Sequence, residues 1–562
     1  MLPGIKNKPT IFLSILLILL WAFNLLQAGF TELHYDEAYY WMFSKHLDWG
    51  YFDHPPMIAF LINLGAYFPG ELGVRFWVTA LQPLYLFVFW LLIRRSNFNS
   101  RDALIYFLVA LSVPLLEING FIATPDAPLM FFTVMFLGAF KKYLESDSWL
   151  WSFLTGISMG LLAYSKYHGA IVVLSVIIAN PAILKRGKTY FAAIVALVCL
   201  FPHFYWQYEH DFASFQYHLS DRSKSFKVKY IFEYLGNLFA TFNPFLFPLL
   251  FAGTLKSRMK DPFERTVMVM SFCFLLFFGV STFRGHVQPQ WVLPATLGLL
   301  FSVVVFARQT AGRFKYVRIV SVVTVLLFII ARLNLVFGWI NIPAMGFGYK
   351  NPMMQIYNEI GNKPLVLKSS YANAALYDFY TPGEANSQQE WSHRNSQYGF
   401  WNIDKGWYGE AVAVESDEGD HVIKLSNGKD FRYFINEHYI PTHKIEVDIL
   451  KHTSLQSKEN NQRIEMEITL HNPYSFPLHF SPESSGGLSL QCLVTQKKKL
   501  YYEKSLSARD FTVLAGQDKV ITFDLDLNLA PGKYNIGFVV RDIPMSGWWA
   551  NSKKTELEII SN

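Results

Sequence analysis

The chain has 562 residues, of which 52% are hydrophobic, 17% aromatic and only 16% charged. That balance excludes an ordinary soluble enzyme and matches a membrane protein carrying a soluble part. The net charge of +6 is modest and is better explained by cytoplasmic loops than by a nucleic-acid surface. Cys199, Cys273 and Cys492 lie far apart and imply neither a disulfide frame nor a zinc cluster.

Apolar windows of roughly twenty residues predict about eleven spans, near 10–30, 76–93, 103–118, 127–141, 150–165, 169–184, 189–206, 234–255, 266–281, 290–307 and 317–337. The first run, flanked by Lys6 and Lys8, exceeds a signal-peptide core and is followed by more spans, so it reads as a retained anchor. Arg94, Arg95 and Arg101, then Lys141 and Lys142, then Lys185, Arg186 and Lys188 fall on one side if the N-terminus is cytoplasmic. Lys256, Arg258, Lys260 and Arg265, and later Arg308, Arg313, Lys315 and Arg318, join them there. The opposite, outer side receives Asp36, Glu37, Asp53, His54, Asp126, Lys166, His218, Arg222, Arg284 and His286. That separation points to an active site on the outer face.

Loop one follows the first span and reads H-Y-D-E-A-Y-Y-W-M-F-S-K-H-L-D-W-G-Y-F-D-H-P-P over residues 34–56. Adjacent carboxylates, Asp36 and Glu37, stand among aromatic rings, and Asp53 and His54 are braced by Pro55 and Pro56. If residues 39–46 are helical, Asp36 shares a face with Tyr39 and Tyr40 while Glu37 aligns with Trp41. Carboxylates held against rings in a half-dry site suit general-base work near neutral pH. The plain alternative is an interfacial aromatic belt whose acids keep the loop in water.

Each later outer loop carries its own signal. A-T-P-D-A-P-L over 123–129 sets Asp126 between prolines, either as a rigid functional turn or as a helix N-cap. A-Y-S-K-Y-H-G-A over 163–170 places Lys166 and His168 in a short turn, where Lys166 would meet a lipid phosphate or simply snorkel. Residues 206–229 mix aromatic, acidic and basic groups, and Arg222, Lys224, Lys227 and Lys229 there call for an anionic partner or headgroup. F-R-G-H-V-Q-P-Q-W-V-L-P-A over 283–295 offers Arg284 and His286 at the head of a span.

Beyond about residue 338 no spanning run occurs and charge is evenly mixed. Residues 338–438 read as a small α/β region, with a strand at 365–368 and a helix near 372–380. From 439 to 562 alternation takes over, with Ile464, Met466, Ile468 and Leu470 on one face and further strands at 520–525 and 534–540. This predicts an Ig-like β-sandwich serving as an accessory module. Residues 1–337 would form the catalytic membrane domain.

The motifs D-E-A-Y-Y, G-Y-F-D-H-P-P-M, T-P-D-A-P-L, S-K-Y-H-G and R-G-H-V-Q-P-Q-W-V-L-P-A together resemble the multi-span glycosyltransferases of GT-C architecture. The nearest likeness is to bacterial relatives of the protein O-mannosyltransferases, of glycosyltransferase family 39 type, and of the lipid A aminoarabinose transferase. It covers roughly residues 1–400 and thins out in the sandwich. The resemblance implies a bacterial inner-membrane enzyme that takes a sugar from a polyprenyl-phosphate (undecaprenyl-phosphate) donor. The acceptor would be a lipid, glycan or protein at the periplasmic, outer face.

By the same resemblance Asp36 is the acceptor-activating base, with Glu37 beside it. Asp53, Asp126 and Lys166 fall on the family's other site positions, and the donor-phosphate cations on Arg222 and Arg284. The aminoarabinose branch has lysine directly before its proline where this chain has His54, so the sugar stays open. Asp53, His54 and His218 are ligand types that would suit a divalent metal ion, although the resemblance requires none. The chemistry agrees, because cations ease departure of an anionic phosphate and a carboxylate activates the attacking hydroxyl. A transporter or lipid flippase with a docking module is the alternative. It should carry its polar residues near mid-bilayer in an internal repeat, whereas here they cluster at span ends.

Overall fold

The computed structural model describes residues 8–221, 226–251, 261–340, 345–368, 370–388, 395–442, 444–450, 455–458, 463–481, 487–496, 499–507, 510–543 and 551–560. The chain divides into two compact units, Met1–Phe347 and Gly348–Asn562.

The first unit is helical. Among the described residues, seven helices are long and apolar enough to cross a membrane: Pro9–Phe30, Gly70–Ile93, Asp126–Ser146, Gly187–Glu209, Pro262–Arg284, Pro289–Ala307 and Ala311–Phe337. The other expected spans are shorter or interrupted, so the count of about eleven is not reached by long helices. The 103–118 window breaks into Ser100–Ser112 and Pro114–Ile118, and the 169–184 window into Gly169–Ala179 and a 3-10 turn at Pro181–Lys185. The 234–255 window stops at Thr241, just before Asn243, which has φ 69°, and Pro244. Trp149–Ser165 fills the 150–165 window as one short helix. Proline explains these breaks, since it removes a backbone donor and clashes with the preceding turn.

Packing inside the bundle follows the small residues. A Cβ on Gly156 would stand 2.5 Å from the Ala192 carbonyl oxygen, and one on Gly160 would stand 2.8 Å from Cys199 Cβ. Helices Trp149–Ser165 and Gly187–Glu209 therefore approach closely along this seam, as small-xxx-small pairs allow in a bilayer. Leu86, Phe89, Trp90, Tyr106, Leu137 and Leu300 lie in the buried core.

The second unit is mixed, then all-β. Strand Leu365–Lys368 pairs in parallel with Ala385–Gln388 and Val412–Glu415, and the sheet continues antiparallel through Asp430–Asn436 to His421–Lys424. Helices Lys350–Ile360 and Tyr371–Tyr380 accompany it, the latter where the sequence predicts one. A three-stranded sheet (Glu446–Ile449, Arg463–His471, Asp518–Asp526) shares one core with a seven-stranded sheet centred on Gly487–Gln496 and Gly532–Ile543. Met466, Ile468 and Leu470 point into that core, as their alternation requires.

Asp542 joins the two parts of this unit. Its carboxylate accepts 2.7 Å from Asn436 Nδ2 and 3.1 Å from the Ile440 amide. Burial pushes the carboxyl up from 3.8 to about 7, against the lowering effect of those two donors. The folded chain then holds this proton more tightly than the unfolded chain does. The stabilisation is complete below about pH 4 and is lost as pH rises to about 7. The unfolding midpoint of the β-rich unit, followed in the intact chain, is expected to fall across that window. Asp542→Asn should flatten the fall, and a wild-type midpoint that stays constant from pH 4 to 7 would refute the assignment.

Candidate active site

The 34–56 stretch folds as helix Tyr35–Lys45, which begins earlier than the 39–46 segment expected, followed by a turn leading into Met57–Leu64. His34 caps the first helix. Its Nδ1 accepts the Asp36 amide at 3.2 Å, while the Glu37 carboxylate accepts the His34 amide at 2.9 Å. Acids in a first turn also meet the positive end of the helix dipole.

The two adjacent acids then part company, because successive helical side chains diverge by about 100°. Glu37 is fully buried against Arg75 of helix Gly70–Ile93. Arg75 Nε donates to Oε1 at 2.7 Å and an Nη to Oε2 at 2.5 Å. The Ala123 amide adds another donor at 2.7 Å. Arg75 gives its remaining N–H groups to the carbonyls of Ala28, Thr31 and Glu32. Asp36 keeps 33% of its side chain exposed, so it is the carboxylate of the pair that a bound molecule can reach.

Asp53 lies 3.4 Å from His54 Nδ1, and His54 Nε2 shares a 3.0 Å hydrogen bond with the Tyr40 hydroxyl. Tyr40 is four residues beyond Asp36 on the same helix. His218 Nε2 meets the Asp53 carbonyl at 3.0 Å, and its ring packs edge-on to Tyr167 at 5.3 Å. Tyr167 is held in turn by His203 and Gln207. Burial pushes its phenol up, so it stays neutral as a hydrogen-bonding group. Lys166, its neighbour, donates to both carboxylate oxygens of Asp126 at 2.7 Å.

Asp126 is the first residue of helix Asp126–Ser146, preceded by Pro125 in the cap position, so N-capping is not its role. Lys166 is turned onto a carboxylate instead of snorkelling. Loop one, the 123–126 turn and the 166–167 turn are thus tied together by Glu37, Ala123, Asp126, Lys166, Tyr167, His218 and Asp53.

Other expected residues lie elsewhere. Arg284 donates 2.9 Å to the Leu219 carbonyl, and His286 Nε2 stands 3.9 Å from Glu233 Oε2. Neither touches the Asp36–Asp53–Asp126 group through a described contact. Arg222 lies outside the described residues. Of the Asp53–His54–His218 set, Asp53 Oδ1 and His54 Nδ1 stand 3.4 Å apart, while His218 turns its Nε2 to the Asp53 carbonyl and His54 its Nε2 to Tyr40. Among the described residues no three His, Cys, Asp or Glu side chains gather to hold an ion.

Arg75 is absent from the sequence-based candidates because it falls just before the window at 76–93. An arginine flanked by apolar residues at the outer end of a span was the available signal, since such a group needs a buried partner.

Residues 53–206 match the dolichyl-phosphate-mannose-protein mannosyltransferase family. The match covers Asp53, Arg75, Asp126 and Lys166 but begins after Asp36 and Glu37. The lipid A galacturonosyltransferase RgtD of Rhizobium johnstonii is 25% identical over 203 residues, 34% of this chain and 42% of that protein. The chain thus matches less than half the length of this curated relative. ArnT from Cupriavidus metallidurans in the apo state superposes with TM-score 0.51 at 16% identity, covering 76% of this chain and 97% of ArnT. The chain has the GT-C fold. The undecaprenyl-phosphate-bound form of the same ArnT gives TM-score 0.52 at 17% identity over the same shares. The GT-C fold and the long apolar helices make this an integral membrane protein.

Proposed function

We propose that this GT-C protein is a glycosyltransferase. It would move a hexosyl or pentosyl group from a polyprenyl-phosphate donor to a hydroxyl of a lipid, glycan or protein, at the periplasmic face of a bacterial inner membrane. The observation that carries the reading is the division of labour in the D-E pair. Glu37 is locked to Arg75 as a buried clamp, and Asp36 beside it remains accessible. In the proposed step the acceptor oxygen bonds to the anomeric carbon and its proton passes to Asp36. The carbon–oxygen bond to phosphate breaks, and polyprenyl phosphate leaves with the bonding pair. Lys166, held in place by the Asp126 carboxylate, and Arg284 are the cations proposed to receive that phosphate.

The relatives supply the first substrates to try, because their names concern galacturonosyl transfer to lipid A and binding of undecaprenyl phosphate. Purified full chain in lipid nanodiscs, given undecaprenyl-phosphate sugars and lipid A, is expected to produce glycosylated lipid A. Failure with every such donor, together with lipid movement across the bilayer of vesicles of matched composition, would favour a flippase instead.

The cations are separable by mutation. Lys166→Met is expected to weaken undecaprenyl-phosphate binding on the order of tenfold, the scale of one partly buried charge-assisted contact. Arg284→Ala, at an exposed position, should cost roughly fivefold or less. Titration of each purified variant measures this, and unchanged binding in Lys166→Met would remove Lys166 from the donor site.

A further inference from the structure

Helix Ala311–Phe337 is the least buried of the long spans, yet Arg332 on it is buried. An ionisable group inside an apolar span demands a reason. Its Nε lies 2.7 Å from Glu117 Oε1, one Nη donates to Asn24 Oδ1 at 2.9 Å, and the other donates to the Glu117 carbonyl at 3.3 Å. The guanidinium also sits 4.8 Å from the Phe23 ring centre and 4.6 Å from that of Phe121. Asn24 continues the polar layer by donating to Gln82 Oε1, and Gln82 donates to the Leu116 carbonyl. The proposed chemistry uses none of these groups.

The role of the pair is decided by the segment immediately C-terminal to Glu117. Glu117 belongs to the short helix Pro114–Ile118, and the chain then turns directly into Asp126–Ser146. Along that turn Phe121 packs on Arg332, the Ala123 amide reaches Glu37, and Asp126 reaches Lys166. Arg332 therefore pins the start of the segment whose second half builds the site. Pro125 leaves the turn little freedom to absorb a displacement at its start. We infer that Arg332, paired with Glu117, is a positioning residue that holds the 119–126 turn in register with Glu37 and Lys166. Its effect on rate rests on the proposed glycosyl transfer, whereas its effect on the turn does not.

The test uses the full chain in nanodiscs with Arg332→Met, Arg332→Lys and the double variant Glu117→Gln/Arg332→Met. The double variant removes both charges, so no unpaired buried ion remains to unfold the protein. Hydrogen exchange of peptides spanning 119–126 is measured beside turnover per folded molecule from an undecaprenyl-phosphate sugar. In Arg332→Met and in the double variant, exchange there should rise at least tenfold and turnover fall at least tenfold. Arg332→Lys keeps the charge without the planar fork and should lie between them and wild type. A folded double variant that exchanges and turns over like wild type would overturn the inference, as would a rise in exchange spread evenly over the first unit. If wild type itself transfers no sugar, the proposed function fails while the exchange result still decides the positioning role.

Discussion

Asp36→Asn is expected to slow single-turnover transfer by about 10²–10⁴-fold, the usual contribution of a positioned general base. Asparagine is nearly isosteric and keeps a hydrogen-bonding oxygen, so the helix and its His34 cap should persist. That cap uses the Asp36 amide and not its carboxylate. Glu37→Gln is the necessary companion, and it should fail differently. A neutral amide opposite the buried Arg75 leaves a guanidinium without its counter-charge, so Glu37→Gln should lose folded protein before it loses chemistry. Yield and unfolding midpoint measured beside rate separate the two outcomes. Wild-type rates in Asp36→Asn would discard Asp36 as the base, and full activity in both variants would reduce loop one to an aromatic belt.

The second large effect belongs to Arg75→Met. Glu37 would remain buried with two amide donors but no cation, at a cost of about 3–5 kcal/mol. Arg75→Lys should recover only part of this. An ammonium offers a single point charge, whereas the guanidinium here serves two carboxylate oxygens and the carbonyls of Ala28, Thr31 and Glu32 at once. Denaturant unfolding in detergent micelles measures both losses. An Arg75→Met variant as stable as wild type would mean that the clamp does not hold loop one.

Periodicity and loop motifs made the helical class, the β-rich end and the loop-one helix legible, because those signals lie within single windows of sequence. The strand at 463–471 could be read from its alternation, and the helix at 371–380 from its apolar spacing. The Glu37–Arg75 and Asp126–Lys166 pairs could not, since they join residues 38 and 40 positions apart across separate helices. The broken spans were missed for another reason. Hydropathy windows average over Pro114, Pro181 and Pro244, while the backbone responds to each one locally. Arg284 and His286 share the outer face with the Asp36–Asp53–Asp126 group, but their described contacts are to Leu219 and Glu233. Sidedness fixes a face of the bundle but not a position on it.

The Glu37–Arg75 clamp also bears on how the chain is made. An arginine at the end of an apolar span biases that span toward the orientation that leaves the charge in the cytoplasm. Glu37 is synthesised 38 residues before Arg75, so the neutralising partner already exists when the guanidinium emerges. In the folded chain that guanidinium is matched charge for charge by Glu37, with neither side chain exposed. The first two long helices and the loop between them are thereby fastened at one end by a single ion pair, so that neither can slide along its axis without stranding a buried charge.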